Sequence, residues 1–563
     1  MQGWAVPTFL LEGGRQEIVI YPGDHGPERR LTLDELVSRS LAASRLFQSM
    51  GVEPGDRVML LAPTGALLLQ AMLGAWFCGA AFAIAPPNTG ETRAAMTREQ
   101  LLKRVVVTRP KLIVASGKAA TALPWLEILP GASVIGDDVF AHLAGDDTFA
   151  PVRLAPNDLA YLQFTSGSTG SGCAKAVIVT HAALTSNLRG IAQAARIVTD
   201  DCMVSWAPAH HDMGLVGGFL QALFSKLRSV FIPVETFSKS PWIWVQAISE
   251  HRGTLSPSPT FSYTILQKLS NTHRLSGIDL SSWRYAWIGA EPIFPEVISR
   301  FNGAFRTRGL SETTLRPSYG LAESVVAISC SVDKEPVCVI HCDPFQLRQN
   351  GRVRLVASET AGAIPLVGNG PPIAGMTIKI ADEVGTELPS DRVGHIWMKG
   401  PSVTPGYFGV DDSGLVDGWR DTGDLGFLYQ KQVFVSGRAK EVIIRGGVNI
   451  APQDIEWMVE QFLGLRPGRV VAFSDIRCEL GREEVVVVAE TRGKLTDVVA
   501  TRQSLLQTIV RATGLAVDHI EFVPTGSIPR TTSGKVQRSR TRDLYRAGEL
   551  HKPSAAVMSA ANG

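Results

Sequence analysis

A loop of glycines and hydroxyl side chains follows the apolar run Tyr161–Phe164 and ends at Lys175. Glycines let backbone N–H groups approach an anion without a Cβ atom in the way, hydroxyls donate hydrogen bonds, and the lysine adds positive charge. This combination predicts a polyphosphate cradle; the simpler alternative is a flexible surface loop of small polar residues. The residues expected to form the cradle are Thr165, Ser166, Gly167, Ser168, Thr169, Gly170 and Lys175.

The loop differs from a Walker A motif. Gly167 and Gly172 match its first part, but Cys173 stands where the motif requires lysine, and no Lys-Ser or Lys-Thr pair follows. A phosphate-binding ATPase or nucleotide sensor of another class stays open as an interpretation, and such a protein would release ADP and phosphate.

Two histidines and an aspartate, His210, His211 and Asp212, precede an apolar segment that predicts a helix. They allow three interpretations: a metal cluster, the His-His-x3-Asp-Gly acyl-transfer motif of condensation domains, or the wall of a substrate pocket with His211 near a reacting carboxylate. The spacing argues against the second, because Asp212 follows His211 directly.

Other segments carry nucleotide-binding chemistry. Tyr319 stands beside a glycine, where a ring can stack on a purine, and Glu323 four residues later can hold Mg²⁺ against phosphate oxygens. The Asp424 carboxylate can accept two hydroxyl bonds from a ribose diol. Lys535 follows a short polar loop in a basic segment, for which a solvated tail is the alternative. Further cations of this segment, which could dock an acidic partner or only solubilise the surface, are Arg530, Arg538, Arg540, Arg542 and Arg546.

An α/β fold with mostly parallel sheets must position these groups. The uncharged stretch 58–87 predicts a strand–helix–strand unit, with strands 57–62 and 81–85 and a helix over 66–78, because its longest apolar piece is too short to span a bilayer. Thr32 and Glu35 form a capping-box pattern that predicts a helix over 33–50. Strand-like runs follow at 105–107, 112–114, 176–179 and 229–234.

The predicted domains are an N-terminal domain over 1–437, a small α+β domain over 438–550 and a tail over 551–563. Within the first, Gly- and Pro-separated β runs predict a small β-rich lobe over about 370–437. In the second we expect a helix at 452–462, a strand at 484–490 and a helix at 495–513.

Composition excludes several protein classes. The chain has 563 residues, 45% of them hydrophobic, and a net charge of +2, which argues against intrinsic disorder and against general nucleic-acid binding. The seven cysteines lack paired spacing, and Cys338, His341 and Cys342 lack a second ligand pair, so we expect thiols rather than a metal site. The N-terminal residues lack a signal-peptide pattern and no segment is apolar over the length of a bilayer span, so we expect a cytoplasmic location. We also expect a monomer.

The order of the motifs resembles the adenylate-forming superfamily of acyl-CoA synthetases, peptide-synthetase adenylation domains and luciferases. In sequence these are TSGSTG with a lysine, WAPAHHDMGL, GAEP, YGLAE, GWRDTGDLG, GRAKEVI and RTTSGK, from about residue 31 to 545. The chain is most similar to fatty acyl-AMP ligases, through its histidine and GAEP motifs and a family-type insertion within about 330–365. The segment Arg445–Ile450 is closer to CoA synthetases.

The resemblance implies an enzyme that uses ATP and Mg²⁺ to convert a fatty acid to acyl-adenylate and pyrophosphate. It then passes the acyl group to the phosphopantetheine thiol of a holo acyl carrier protein; the alternative acceptor is CoA. Catalytic roles fall on Lys535 and His211, and Mg²⁺ binding falls on Glu323. The resemblance also implies that the C-terminal domain is mobile, with Lys440 as its hinge. The ATP-binding residues implied beyond the cradle are Gly289, Ala290, Glu291, Pro292, Ser318, Tyr319, Gly320, Asp424 and Arg438. The implied acyl-pocket residues are Trp206, Gly214, Gly218 and Phe261.

Overall fold

The structure is a computed structural model that describes residues 6–21, 28–87, 98–117, 132–165, 175–411, 413–445, 448–477, 482–491, 497–513, 515–531 and 534–550. Its strands, in chain order, are β1 Glu17–Ile20, β2 Arg29–Thr32, β3 Arg57–Leu61, β4 Ala81–Ile84, β5 Leu112–Ala115, β6 Ser133–Ile135, β7 Leu159–Phe164, β8 Ala176–Thr180, β9 Cys202–Ser205, β10 Arg228–Phe231, β11 Leu255–Pro259, β12 Tyr285–Gly289, β13 Leu315–Tyr319, β14 Ser329–Cys330, β15 Val339–Cys342, β16 Ile364–Val367, β17 Thr377–Ala381, β18 Gly394–Lys399, β19 Arg420–Tyr429, β20 Gln432–Arg438, β21 Ile443–Arg445, β22 Val448–Ile450, β23 Val470–Arg477, β24 Arg482–Thr491 and β25 His519–Pro524.

The α-helices of the described residues are Val6–Leu10, Leu33–Ser49, Ala66–Phe77, Arg98–Thr108, Asp137–Ala141, His181–Ala194, Gln221–Phe224, Val234–Lys239, Trp242–His251, Thr260–Leu269, Pro295–Phe305, Pro344–Asn350, Pro452–Phe462, Val498–Thr513 and Arg538–Arg546. A π-helix covers Met213–Leu220, and short 3-10 turns cover His273–Leu275, Arg306–Arg308, Ala322–Ser324 and Ala439–Glu441. Within the described residues, no helix is both long and apolar enough to span a bilayer.

A six-stranded sheet, in the order β6-β5-β3-β4-β7-β8, contains the predicted strand–helix–strand unit. Its strands run parallel except for the antiparallel pair β7 and β8. The connecting helix Ala66–Phe77 lacks charge because nearly all of its side chains are buried. At Gly74 an added Cβ would lie 2.9 Å from the Ala43 Cβ, so this glycine allows the helix Leu33–Ser49 to pack closely. That neighbouring helix begins at the predicted capping box of Thr32 and Glu35.

An eight-stranded sheet brings several of the motifs together. Strands β9, β11, β12 and β13 are parallel neighbours within it. Because carboxyl ends of parallel strands share one edge, the residues after Ser205, Pro259, Gly289 and Tyr319 emerge side by side, as ligand-binding residues do in open α/β sheets. The segments after those four strands carry the histidine, aromatic, GAEP and YGLAE residues.

Smaller units follow. Strands β17 to β20 form an antiparallel sheet in chain order, as predicted for the β-rich lobe, and β23, β24 and β25 form a three-stranded sheet near the C-terminus. In the predicted insertion, β15 and β16 pair beside the helix Pro344–Asn350. This is the expected α/β architecture with a large N-terminal and a small C-terminal domain; the numerical domain limits stay predictions.

The strand predicted at 105–107 is wrong, because these residues belong to the helix Arg98–Thr108. The valines suggest a strand, but Leu101 and Val105 are buried on one helical face while Val106 is 60% exposed. Helical spacing of buried residues thus overrides β propensity. The strand predicted over 229–234 ends at Phe231, and Val234 begins the next helix.

Candidate active site

The histidine loop joins β9 to the π-helix Met213–Leu220. Asp212 begins that helix by accepting a hydrogen bond of 2.7 Å from the Met213 amide, and the Gln163 side chain donates to the His210 carbonyl at 3.0 Å. Because Gln163 lies in β7, this bond ties the histidine loop to the strand that leads into the predicted phosphate cradle.

Burial keeps both histidines of this loop neutral. It lowers the pKa of His210 to about 3, and it lowers the pKa of His211 well below its ordinary value, with smaller contributions from His210 and Lys535. In the described part of the chain, the Nε2 atoms of both rings are buried without a hydrogen-bond partner. His211 is therefore suited to hydrogen bonding with a substrate rather than to supplying a positive charge.

Lys535 lies on a tight hairpin whose flanks pair between Arg530 and Val536. The Thr531 amide donates to the Lys535 carbonyl at 2.7 Å, and the Lys535 amide donates to the Thr531 hydroxyl at 3.1 Å. These bonds hold the backbone of the lysine independently of its side chain.

The Lys535 ammonium lies close enough to influence groups of the N-terminal domain. Burial raises the pKa of Asp212 and of Glu291, and the positive charge of Lys535 opposes the rise in both. Distant segments of the chain therefore meet around one lysine, beside the carboxyl-end edge of the eight-stranded sheet.

Tyr319, Asp424 and Arg438 form a connected cluster. The Tyr319 hydroxyl donates to Asp424 Oδ2 at 2.7 Å, and Arg438 Nε lies 2.9 Å from Asp424 Oδ1. Burial raises the pKa of Asp424. The charge of Arg438 and, to a lesser extent, the hydrogen bond from Tyr319 oppose this rise. Although burial disfavours the guanidinium charge, Asp424 above all holds the pKa of Arg438 above its ordinary value. Three residues predicted to bind one nucleotide thus occupy one place, brought together by β13, β19 and β20.

Tyr407, which sequence reasoning missed, contacts two of the predicted site residues. Its hydroxyl donates to Glu323 Oε1 at 2.8 Å, and Lys175 Nζ lies 4.9 Å from the centre of its ring. The Thr165 amide donates to the Lys175 carbonyl at 3.2 Å, which closes the base of the predicted cradle. Tyr407 has no motif around it that would have marked it. The predicted cradle residues Ser166, Gly167, Ser168, Thr169 and Gly170 lie outside the described residues.

The GAEP residues follow β12 directly. Glu291 Oε2 accepts a 3.0 Å hydrogen bond from the Phe261 amide, so its carboxylate caps the start of the helix Thr260–Leu269. Ala290 has a left-handed φ of 61°, and Pro292 is exposed. At Gly289 an added Cβ would lie 2.6 Å from the Ser318 carbonyl oxygen, so the glycine allows β12 and β13 to approach.

Close packing near the site also requires a glycine at position 320. At Gly320 an added Cβ would lie 1.7 Å from the Val326 carbonyl oxygen. The Ser318 hydroxyl donates to the Arg316 carbonyl at 3.1 Å. These two predicted nucleotide-binding residues thus shape the backbone beside Tyr319.

The residues predicted to line an acyl pocket divide into two groups. Trp206 stacks on Phe237 with ring centres 3.6 Å apart and meets Phe261 edge-on at 6.0 Å, in an aromatic cluster. At Gly214 an added Cβ would lie 2.2 Å from the Pro208 carbonyl oxygen, and at Gly218 it would lie 2.7 Å from the Ser205 hydroxyl. These glycines therefore let the π-helix pack closely against the preceding loop and against the end of β9.

The predicted hinge residue Lys440 is exposed in the turn Ala439–Glu441, directly after β20.

The cations of the basic C-terminal segment are partly neutralised by carboxylates of the same domain. Arg538 pairs with Glu441 and Glu456, Arg546 pairs with Asp475, and Arg530 lies 3.8 Å from Glu490. These internal ion pairs leave less positive charge for a partner than the sequence alone suggested.

Comparison with known proteins identifies the family. The family described as AMP-binding enzyme matches residues 12–408. The chain is 30% identical to the medium-chain-fatty-acid–[acyl-carrier-protein] ligase JamA of Moorena producens, over 97% of this chain and 93% of that protein. It is also 30% identical to a Caulobacter vibrioides protein provisionally named acyl-CoA synthetase, over 91% and 90%.

A solved structure from a study of fatty acyl-adenylate ligases from E. coli and L. pneumophila shares the whole fold. It superposes with a TM-score of 0.89 at 31% identity, over 97% of this chain and 98% of that one. The chain therefore belongs to the AMP-binding enzyme family, whose members use ATP, and is an adenylate-forming ligase of the fatty acyl-AMP ligase and acyl-CoA synthetase type.

Proposed function

We propose that this protein joins a fatty acid to AMP and then transfers the acyl group to the phosphopantetheine thiol of a holo acyl carrier protein. The observation that carries the proposal is that Lys535 lies near both the histidine loop and the GAEP segment, so that its charge acts on His211, Asp212 and Glu291. A cation at this position suits the meeting of a carboxylate with a polyphosphate.

In the first half-reaction, a fatty acid carboxylate oxygen attacks the α-phosphorus of ATP and pyrophosphate leaves. A carboxylate is a poor nucleophile towards a polyanion, so the site must align both groups and neutralise their charge. Lys535 would lie between the carboxylate and the α-phosphate. Asp424 and Arg438 would hold the ribose, and Tyr319, oriented by its bond to Asp424, would lie against the adenine.

Glu323 would hold Mg²⁺. Its carboxylate supplies the oxygen ligand that this ion prefers, and Tyr407 fixes the orientation of the group through a 2.8 Å hydrogen bond. When bound, the ion would neutralise phosphate charge. His211, which burial keeps neutral, would hydrogen-bond the substrate carboxylate or the adenylate.

In the second half-reaction, the carrier thiolate attacks the acyl carbonyl carbon, the thioester bond forms and AMP leaves. We propose that the C-terminal domain turns about Lys440 between the halves, which fits the place of this residue in an exposed turn after β20. Docking of an acidic carrier would depend on Arg540 and Arg542, because Arg530, Arg538 and Arg546 pair with carboxylates of their own domain.

The name of JamA and the family-type insertion support a carrier protein as acceptor. CoA remains the second candidate, supported by the provisional name of the Caulobacter relative and by the likeness of Arg445–Ile450 to CoA synthetases. In the structure, Arg445 bonds to Asp518 and to the Ala516 carbonyl, so this arginine stabilises its own domain.

The deciding experiment is mass spectrometry of the products formed from ATP, a ladder of fatty acids and either CoA or a holo acyl carrier protein. We expect AMP, pyrophosphate and an acyl thioester of the carrier. If acyl-CoA forms as fast as the carrier thioester or faster, the protein is a CoA synthetase and the proposed acceptor is wrong. Release of ADP and phosphate without consumption of fatty acid would refute adenylate formation.

A further inference from the structure

Arg104 lies beside the base of the predicted phosphate cradle. Its guanidinium carbon is 4.8 Å from the centre of the Phe164 ring, and Phe164 is the last residue of β7, directly before Thr165. Leu101 and Val105 bury the adjoining face of the helix, while Arg104 is half-buried. A cation–π contact with Phe164 therefore holds the guanidinium near the end of β7, where the predicted cradle begins.

This guanidinium lacks a compensating negative charge within the described part of the chain, where no carboxylate forms an ion pair with it. Burial lowers the pKa of Arg104 to about 10, so the group is still cationic at neutral pH. Its charge also lowers the pKa of His210 and of His211, which puts it on the same side of the site as the histidine loop. A partly buried cation without a paired carboxylate favours an anionic ligand, because the ligand supplies the missing charge.

We propose that Arg104 binds the β- and γ-phosphates of ATP and then the pyrophosphate that leaves. A contact through the π face does not use the N–H groups of the guanidinium, and the N–H groups of an arginine can bind two phosphate oxygens at once. The inference rests on the proposed function and adds to it a phosphate-binding residue that no sequence motif marks. The alternative ligand is the fatty acid carboxylate.

The test compares Arg104→Gln, Arg104→Lys and the control Arg109→Gln, in which an exposed arginine just past the same helix loses its charge. Acyl-AMP formation gives the KM for ATP and for the fatty acid, and product inhibition gives the Ki for pyrophosphate. For Arg104→Gln we expect the KM for ATP and the Ki for pyrophosphate to rise about 10- to 100-fold, as for loss of one charged hydrogen-bonding group. The KM for the fatty acid should stay within about twofold.

Arg104→Lys should recover part of the loss, since it keeps the charge but not the planar fork. Arg109→Gln should match the wild type. An unchanged KM for ATP and Ki for pyrophosphate in Arg104→Gln would overturn the proposal, as would a rise confined to the KM for the fatty acid. A fall in kcat alone would indicate a structural role and count equally against it.

Calorimetric titration of inorganic pyrophosphate into the wild type and both Arg104 variants separates this proposal from the proposed function. If the wild type makes no acyl-AMP, the proposed function fails, yet weaker pyrophosphate binding by Arg104→Gln would still support the site. Phe164→Leu removes the stacking ring and keeps the arginine, so it should also weaken pyrophosphate binding, by a smaller factor. Should Arg104→Gln fail to fold, Arg104→Lys and Phe164→Leu decide the question.

Discussion

Replacing Lys535 with alanine removes the charge that we propose to lie between the fatty acid carboxylate and the α-phosphate of ATP. The hairpin should persist in the variant, because the hydrogen bonds of 2.7 and 3.1 Å to Thr531 use only the backbone of residue 535. The nearby carboxyl groups Asp212 and Glu291 would lose the cation that opposes the effect of burial, so the pKa of each should rise further.

The size of the effect follows from the surroundings of the ammonium group. Lys535 is half-buried, so an effective dielectric constant of about 20 is appropriate, and opposite unit charges about 4 Å apart then attract by about 4 kcal/mol. Measured losses for one charge-stabilising group in an active site are about 10²- to 10³-fold. We therefore expect Lys535→Ala to slow acyl-AMP formation by that factor.

The assay is single-turnover formation of acyl-AMP from ATP and a fatty acid, followed by mass spectrometry. The matched control is Arg540→Ala, which removes an exposed cation from the helix Arg538–Arg546 and should leave this half-reaction unchanged. Melting temperatures of both variants verify folding. Acyl-AMP formation by Lys535→Ala within about threefold of the wild-type rate would refute the role of the lysine.

Three further predictions concern the groups around this lysine and the stability of its domain. Tyr319→Phe removes the 2.7 Å hydrogen bond to Asp424, so the KM for ATP should rise several-fold; an unchanged KM would contradict a nucleotide role for this pair. Glu323→Ala should raise the Mg²⁺ concentration needed for half-maximal acyl-AMP formation, and an unchanged Mg²⁺ titration would exclude the carboxylate as a ligand. Burial raises the pKa of Glu460 from 4.5 to about 8, so this carboxyl group binds its proton more tightly in the folded protein than in the unfolded chain. The free energy of unfolding should therefore fall as the pH rises from about 5 to 8, and at pH 7 the loss should be on the order of 3 kcal/mol. Glu460→Gln should remove this pH dependence, and parallel melting curves of the two proteins between pH 5 and 8 would disprove it.

Local sequence determined much of the scaffold. The capping box of Thr32 and Glu35 and the uncharged helix Ala66–Phe77 followed from short-range patterns, because capping and side-chain periodicity act within a few turns of chain. That the histidine, GAEP and YGLAE motifs share one site was implied only by the resemblance of their order to the adenylate-forming superfamily. In the structure they follow the parallel strands β9, β12 and β13, whose carboxyl ends lie at one edge.

Tertiary structure alone decided which side chains meet. Tyr407 reaches Glu323 across 84 residues, Tyr319 reaches Asp424 across 105, and Arg104 is placed by a ring on another element. No pattern within one segment encodes such contacts, because they depend on how separate elements pack.

The same packing adds information that residue type could not give. Gly214 and Gly218, which stay predicted pocket residues, allow close approach of the Pro208 carbonyl and the Ser205 hydroxyl. Arg538, for which the sequence left open a docking or a solubilising role, lies between two carboxylates of its own domain. Residue type thus determined which chemistry was available to this protein. Burial and long-range contact decided which groups carry that chemistry and which are neutralised within the fold.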